Sequence, residues 1–403
     1  MTLKVSIDDV QKARKVISGT IRETEIDKSY SASQLLGSEV FFKYENTQFT
    51  GSFKLRGALN KIANLTEAEK KAGVVASSAG NHAQGVAFSA TKFKVKSTIV
   101  MPVHAPLIKI SATKGYGAEV ILYGEFYDEA FEKAKELEKE KGYTFVHPFE
   151  DPLVIAGQGT IGLEILEKLP DLNSIIVPIG GGGLINGIAI AVKALNPKCK
   201  IIGVQSIQAP GMMQMFNHLP IKESAKKIST IADGIAIKKP SKKMYENFIS
   251  KFVDQIVTVT DDEIADAIVF LLERSKTVTE GSGAAGVAAL LHKKLNLGKK
   301  TCVVLCGGNI DLNIISKVIE RGQISKGRLV ELSVVVDDVP GNLSKLTKVI
   351  AEKRANILQV HHDRLTEGLY LRETKIDFVL ETTSPEHILE IRQALIKAGG
   401  RIL

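Results

Sequence analysis

Nine short apolar runs, each four to six residues long, recur along the first three quarters of this sequence: Val40–Tyr44, Gly73–Ala76, Ser97–Met101, Glu119–Tyr123, Thr144–His147, Ser174–Ile179, Lys200–Gln205, Ile256–Val259 and Thr301–Cys306. The segments between them, such as Glu125–Lys141 and Asp261–Arg274, carry apolar residues at helical spacing. Runs of this length without polar alternation are strands covered on both faces, and helices between them supply the cover. The pattern therefore predicts α/β architecture with largely parallel sheets. Over 403 residues it implies more than one domain.

Near Arg321–Arg328 a polar, Gly-containing connector ends that rhythm. Strand-like Leu329–Val336, helical Asn342–Lys353, strand-like Ile357–His361 and Thr374–Leu380, helical Pro385–Ala398 and a last short strand at Arg401–Leu403 follow. The order β-α-β-β-α-β is ferredoxin-like and reads as a separate domain. The expected division is 1–325 and 328–403, with the first part in two lobes: a large one of about 1–50 and 156–325, and a small one of about 51–155.

Hydrophobic residues at 44% and charged residues at 24% exclude a disordered or fibrous chain. The net charge of +8 is scattered in pairs such as Lys70-Lys71, Lys226-Lys227, Lys238-Lys239 and Lys299-Lys300, with few aromatics and no Trp, so neither a nucleic-acid nor a membrane partner is expected. Leu172–Val192 is uncharged, but Pro178 and Gly180–Gly183 would break a membrane helix. Cys199, Cys302 and Cys306 form no disulfide framework or metal-binding spacing, and the charged N-terminus has no signal-peptide core, so a cytoplasmic location is expected.

Four constellations carry the chemistry. In Thr50–Ala58, Lys54 stands beside Phe53 among small residues at a helix start. In Ser77–Gly85, small residues after an apolar run let a backbone approach an anion such as a carboxylate. Gly180–Gly183, between a strand and a helix, costs about 1 kcal/mol per glycine in a regular element and suits a backbone-lined phosphate cradle. Leu305–Asn309 places Cys306 and paired glycines at a strand end, where α/β sheets present ligand contacts. Neither a dinucleotide fingerprint nor a P-loop is present.

In this order the four motifs resemble the fold-type II pyridoxal-phosphate enzymes, and in detail the threonine/serine dehydratases. The resemblance spans about residues 5–320 and includes the run Pro148–Thr160. It implies a two-lobed fold like the tryptophan synthase β chain, with pyridoxal 5'-phosphate carried on Lys54. It implies Phe53 beside the cofactor ring, Asn81 on the ring hydroxyl, and Ser78, Ala79, Gly80, Asn81 and His82 around the substrate carboxylate. Gly180, Gly181, Gly182, Gly183 and Leu184 match the phosphate cup, and Cys306 the partner of the pyridine nitrogen.

The implied reaction is deamination of L-threonine to 2-oxobutanoate and ammonia by loss of the β-hydroxyl, with L-serine to pyruvate as a secondary activity. Serine racemase and a catalytically inactive amino-acid sensor are the alternatives. Ala79 stands where related racemases place a serine, which favours elimination. Gln205 and Gly211 stand where they place carboxylates, so no metal is expected. The C-terminal domain resembles the ACT domains, implying an amino-acid effector near Asp338, Gly341, Asn342 and Asn356, with isoleucine or valine first, in a homo-oligomer that the resemblance implies is a dimer-built tetramer.

Overall fold

The computed structural model describes residues 3–221, 228–295 and 297–403; Lys226-Lys227, expected on the surface, lie outside them. The chain divides into two compact units, Met1–Asp311 and Leu312–Leu403. The division falls before the helix Leu312–Ser325, not in the Arg321–Arg328 connector suggested by composition, because that helix makes its contacts with the second unit.

Among the described residues ten strands belong to the first unit: β1 (Ile26–Lys28), β2 (Glu39–Lys43), β3 (Val74–Ser77), β4 (Ser97–Met101), β5 (Glu119–Leu122), β6 (Thr144–Phe145), β7 (Ser174–Pro178), β8 (Lys200–Ser206), β9 (Gln255–Val259) and β10 (Lys300–Val304). They form a six-stranded sheet of order β1-β2-β10-β7-β8-β9 and a four-stranded sheet of order β5-β4-β3-β6. Every pairing is parallel except β1 with β2. All five residues of β7 and of β4 are buried, as strands between two helical layers must be. Leu172–Val192 is accordingly β7, a glycine turn and a helix, and no described helix is long and apolar enough to cross a membrane.

The helix Pro152–Lys168 packs against the helices Lys54–Ala63 and Gly183–Leu195 and joins the two halves of the unit. Its start is written in the sequence. Asp151 accepts from the N–H groups of Leu153 at 2.8 Å and Val154 at 3.3 Å, and Pro152 occupies the first turn, where a missing N–H costs nothing.

The second unit places β11 (Leu329–Asp337), β12 (Asn356–Asp363), β13 (Glu373–Glu381) and β14 (Arg401–Ile402) in an antiparallel sheet of order β12-β13-β11-β14. Helices Asn342–Glu352 and Pro385–Lys397 complete the βαββαβ order. Along β13 buried and half-buried residues alternate, so one face meets the core of Leu332, Val334, Leu346, Ile350, Phe378 and Leu395.

Candidate active site

Lys54 is the first residue of the helix Lys54–Ala63. The segment before it is stitched to the end of the large sheet: the Phe53 N–H donates to the Cys306 carbonyl at 3.1 Å, Gly308 N–H to Gly51 O at 2.9 Å, and Ser52 bridges Gly307. The first and fourth sequence motifs thus form one edge. Gly51, at φ +71°, makes the turn that lets Asn309 lie against it. The Lys54 ammonium donates to Pro148 O at 3.0 Å and lies 5.2 Å from the centre of the Phe53 ring. Burial pushes its pKa down to about 8, against the opposing pull of Cys306 and Glu280. The Cys306 thiol is buried and its pKa is raised well above the usual value by that burial, so it stays neutral.

Ser78–Gly80 follow β3 on the small sheet and lead into the helix Asn81–Lys92, whose start has no side-chain cap. Gly80 N–H donates to Ser78 Oγ at 3.2 Å, which tightens the turn. Asn81 is held from both sides: its Nδ2 donates to Glu280 Oε1 and Oε2 at 2.8 and 3.0 Å, and its Oδ1 accepts from Asn309 Nδ2 at 2.7 Å. His82 is buried, with Nε2 at 2.8 Å from the Val146 carbonyl; a carbonyl only accepts, so Nε2 carries the proton. Burial and the nearby Lys54 push its pKa down to about 3, and burial lowers that of His147 to about 4. Both rings are neutral at physiological pH.

The third motif forms the turn from β7 into the helix Gly183–Leu195. Gly182 sits at φ +93°, closed to most side chains, and a Cβ on Gly181 would stand 2.3 Å from the Phe149 ring. The helix has no side-chain cap, so its first N–H groups remain for an anion. It starts at Gly183, which puts Leu184, 5% exposed, inside its first turn. Among the described residues, the buried hydroxyls of Thr50, Ser52 and Ser77 and Nδ1 of His82 have no protein partner. A glycine cradle at a helix start, an amine of lowered pKa and unpartnered polar atoms fit a phosphorylated aldehyde cofactor.

Two features were not legible as site residues. Glu280, directly before the helix Gly281–Leu291, is buried, and its pKa is raised to about 7 by that burial and by Asp233. Its one signal was a carboxylate directly before a run of small residues. Arg56 lies fully buried between Glu45, at 2.8 Å, and Glu164, with Lys43 also on Glu164 and on Thr24 O at 2.7 Å. These two cations and two anions anchor the helix that carries Lys54.

In the second unit, Gly341, at φ +97°, caps the helix Asn342–Glu352; Asp338 is held by Arg364 at 2.8 and 3.2 Å, and Asn342 Nδ2 donates to Asp337 O at 2.8 Å. Asn356 donates to Glu381 at 3.3 Å. The register pairs Asn356 with Glu381 and Asp337 with Glu373, so the nine residues of β13 separate Asn356 from the other three. Within one chain these four do not converge.

Two open, largely parallel sheets, with a lysine at a helix start on one side and a glycine cup on the other, define a two-lobed enzyme class built around a phosphate-bearing cofactor. The profile described as PALP, pyridoxal-phosphate dependent enzyme, matches residues 17–307, and the chain belongs to this family; its cofactor is pyridoxal phosphate. The L-threonine ammonia-lyase of Thermotoga maritima is 48% identical over 398 residues, 99% of each chain. The catabolic L-threonine dehydratase of Escherichia coli K12 is 46% identical over 319 residues, 78% of this chain and 96% of its own. The solved structure of maize serine racemase superposes with a TM-score of 0.74 at 33% identity, covering 80% of this chain and 98% of that one.

Proposed function

We propose that the protein is a threonine ammonia-lyase, converting L-threonine to 2-oxobutanoate and ammonia, with L-serine to pyruvate as a secondary reaction. The observation that carries the reading is Lys54, a buried amine with its pKa lowered to about 8, at the edge formed with Cys306 and Gly307. Likeness over nearly the full length to a threonine ammonia-lyase supports it over serine racemase.

Bound pyridoxal phosphate supplies an electron sink that stabilises negative charge at the substrate α-carbon. Lys54 Nζ would anchor the cofactor and is the base placed to take the α-proton; a lowered pKa leaves a usable fraction of the free amine near neutrality. The N–H groups at Gly180–Leu184 hold the phosphate, and those at the start of Asn81–Lys92 orient the substrate carboxylate. Cys306, a neutral thiol and weak donor, would face the pyridine nitrogen without protonating it, which would favour elimination over transamination. Ala79 has no proton to return to the opposite face, so racemisation stays minor.

Lys54→Ala is expected to abolish ketoacid release from threonine. Borohydride reduction and peptide mapping should place the pyridoxyl label on Lys54, and a label on another lysine refutes the assignment. The three free, buried cysteines support a cytoplasmic protein. The second unit is read as an ACT domain in a dimer-built tetramer. The helix start at Gly341–Asn342, which has no side-chain cap, supports a site for the carboxylate of a small amino acid, isoleucine or valine first.

A further inference from the structure

We propose that Glu280 is a positioning residue of this site: its carboxylate fixes which way the Asn81 amide faces, and so how the chain receives the cofactor ring. This rests on the reading of Lys54 and Asn81 given above.

An asparagine amide has two faces of similar shape and opposite polarity, and its neighbours decide which way it points. At Asn81 the decision comes from two sides. Both Glu280 oxygens, at 2.8 and 3.0 Å, accept from Nδ2, and Asn309, itself tied to Thr50 O at 2.8 Å, donates to Oδ1. Turning the amide over would set Oδ1 against a carboxylate and Nδ2 against another amide nitrogen. Nδ2 carries two hydrogens, so one serves Glu280 and the other is left for an acceptor on the cofactor. Gly307 makes the arrangement possible: a Cβ there would stand 2.4 Å from Glu280 Oε1 and 3.1 Å from Asn81 Nδ2.

The clamp depends on protonation. A protonated carboxyl offers one accepting oxygen and one donor, and the donor meets Nδ2 head on. Burial and Asp233 raise the Glu280 pKa to about 7; Asn81, Lys109 and Lys54 oppose the shift, and the Cys306 thiol is a further titratable group facing the carboxyl. The clamp is therefore complete above neutrality and loosens below it.

The test uses the full chain, stripped of cofactor and titrated back with pyridoxal phosphate between pH 6 and pH 8.5, for the wild type, Glu280→Gln and Glu280→Asp. Taking the ratio of variant to wild-type dissociation constants removes the titration of the cofactor's own phosphate. Glu280→Gln should bind about tenfold more weakly at pH 8, a ratio shrinking to within about twofold at pH 6, where the wild type has lost its charge. Glu280→Asp should recover part of the affinity at high pH. A ratio equal at both pH values marks a packing residue and overturns the proposal, as does a ratio of one throughout. Borohydride labelling of the same samples separates the two readings. With the label on Lys54 a flat ratio sinks only the role of Glu280, and with the label elsewhere both fall. Should Glu280→Gln not fold, a pH-independent Glu280→Asp ratio is equally decisive.

Discussion

Glu280 and His82 are both buried beside Lys54, yet acid acts on them in opposite directions. His82, with its folded pKa of about 3, refuses a proton that the unfolded chain accepts below about 6.5. Stability therefore falls as pH drops from 6.5 towards 3, by about 2 kcal/mol at pH 5 from this group. Glu280, at about 7, takes up its proton in the folded state first, so its burial penalty is present above pH 7 and disappears as pH falls towards 4.5. The two contributions offset each other in the wild type. In urea unfolding of the apoprotein at pH 8 and pH 5, His82→Gln should be more acid-resistant than the wild type and Glu280→Gln less; matching shifts in both variants would contradict these assignments. None of this was legible in the sequence. The Glu280–Asn81 contact joins positions 199 residues apart, and a pKa depends on what folding brings near. Lys54 could be read because Thr50–Ala58 stands in order with three further motifs, each a local run along the chain.

At the level of elements, the strands were legible because burial on both faces leaves near-continuous Val and Ile runs, and all nine expected strands begin within one residue of where the sequence puts them. β1 escaped notice: three residues, Ile-Asp-Lys, on an antiparallel edge offer no apolar run. The helix expected over Asp261–Arg274 is α-helical to Phe270 and widens to π geometry over Leu271–Ser275, which spacing alone does not reveal. The glycine cup gives the sharpest test at this scale. Gly181→Ala would drive a methyl into the Phe149 ring, an overpacking cost of about 1–3 kcal/mol, and should weaken pyridoxal phosphate binding and lower the thermal midpoint. Adding Phe149→Ala should restore part of the loss. A double-mutant cycle with no coupling would show that the glycine is needed for some reason other than this close approach.

For the whole molecule, the division at Asp311 has a practical meaning. Cutting after Gly327 would leave the helix Leu312–Ser325, with exposed Leu312 and Ile324, behind without the sheet it contacts. A chain ending at Asp311 is expected to stay soluble and bind pyridoxal phosphate with about the affinity of the full chain, while any response to added amino acids disappears. Size-exclusion chromatography and cofactor titration check this, and a truncated chain that aggregates would show the second unit to be part of the folding unit. The βαββαβ rhythm was visible because one covered face forces alternation along β13, whereas the boundary was not, since a helix takes its domain from its contacts.

The four buried charges that tie down the lysine helix, its own Arg56 with Lys43, Glu45 and Glu164, also restrict how this sequence can drift over generations. Losing any one strands an opposite charge in the interior at a cost of about 3–5 kcal/mol, a large share of the roughly 5–15 kcal/mol that keeps a protein folded. An apolar replacement of all four would be tolerable, but every single-step route to it crosses a barely folded intermediate. These positions are therefore expected to change together rather than singly, and the helix presenting Lys54 is tied to the interior through them.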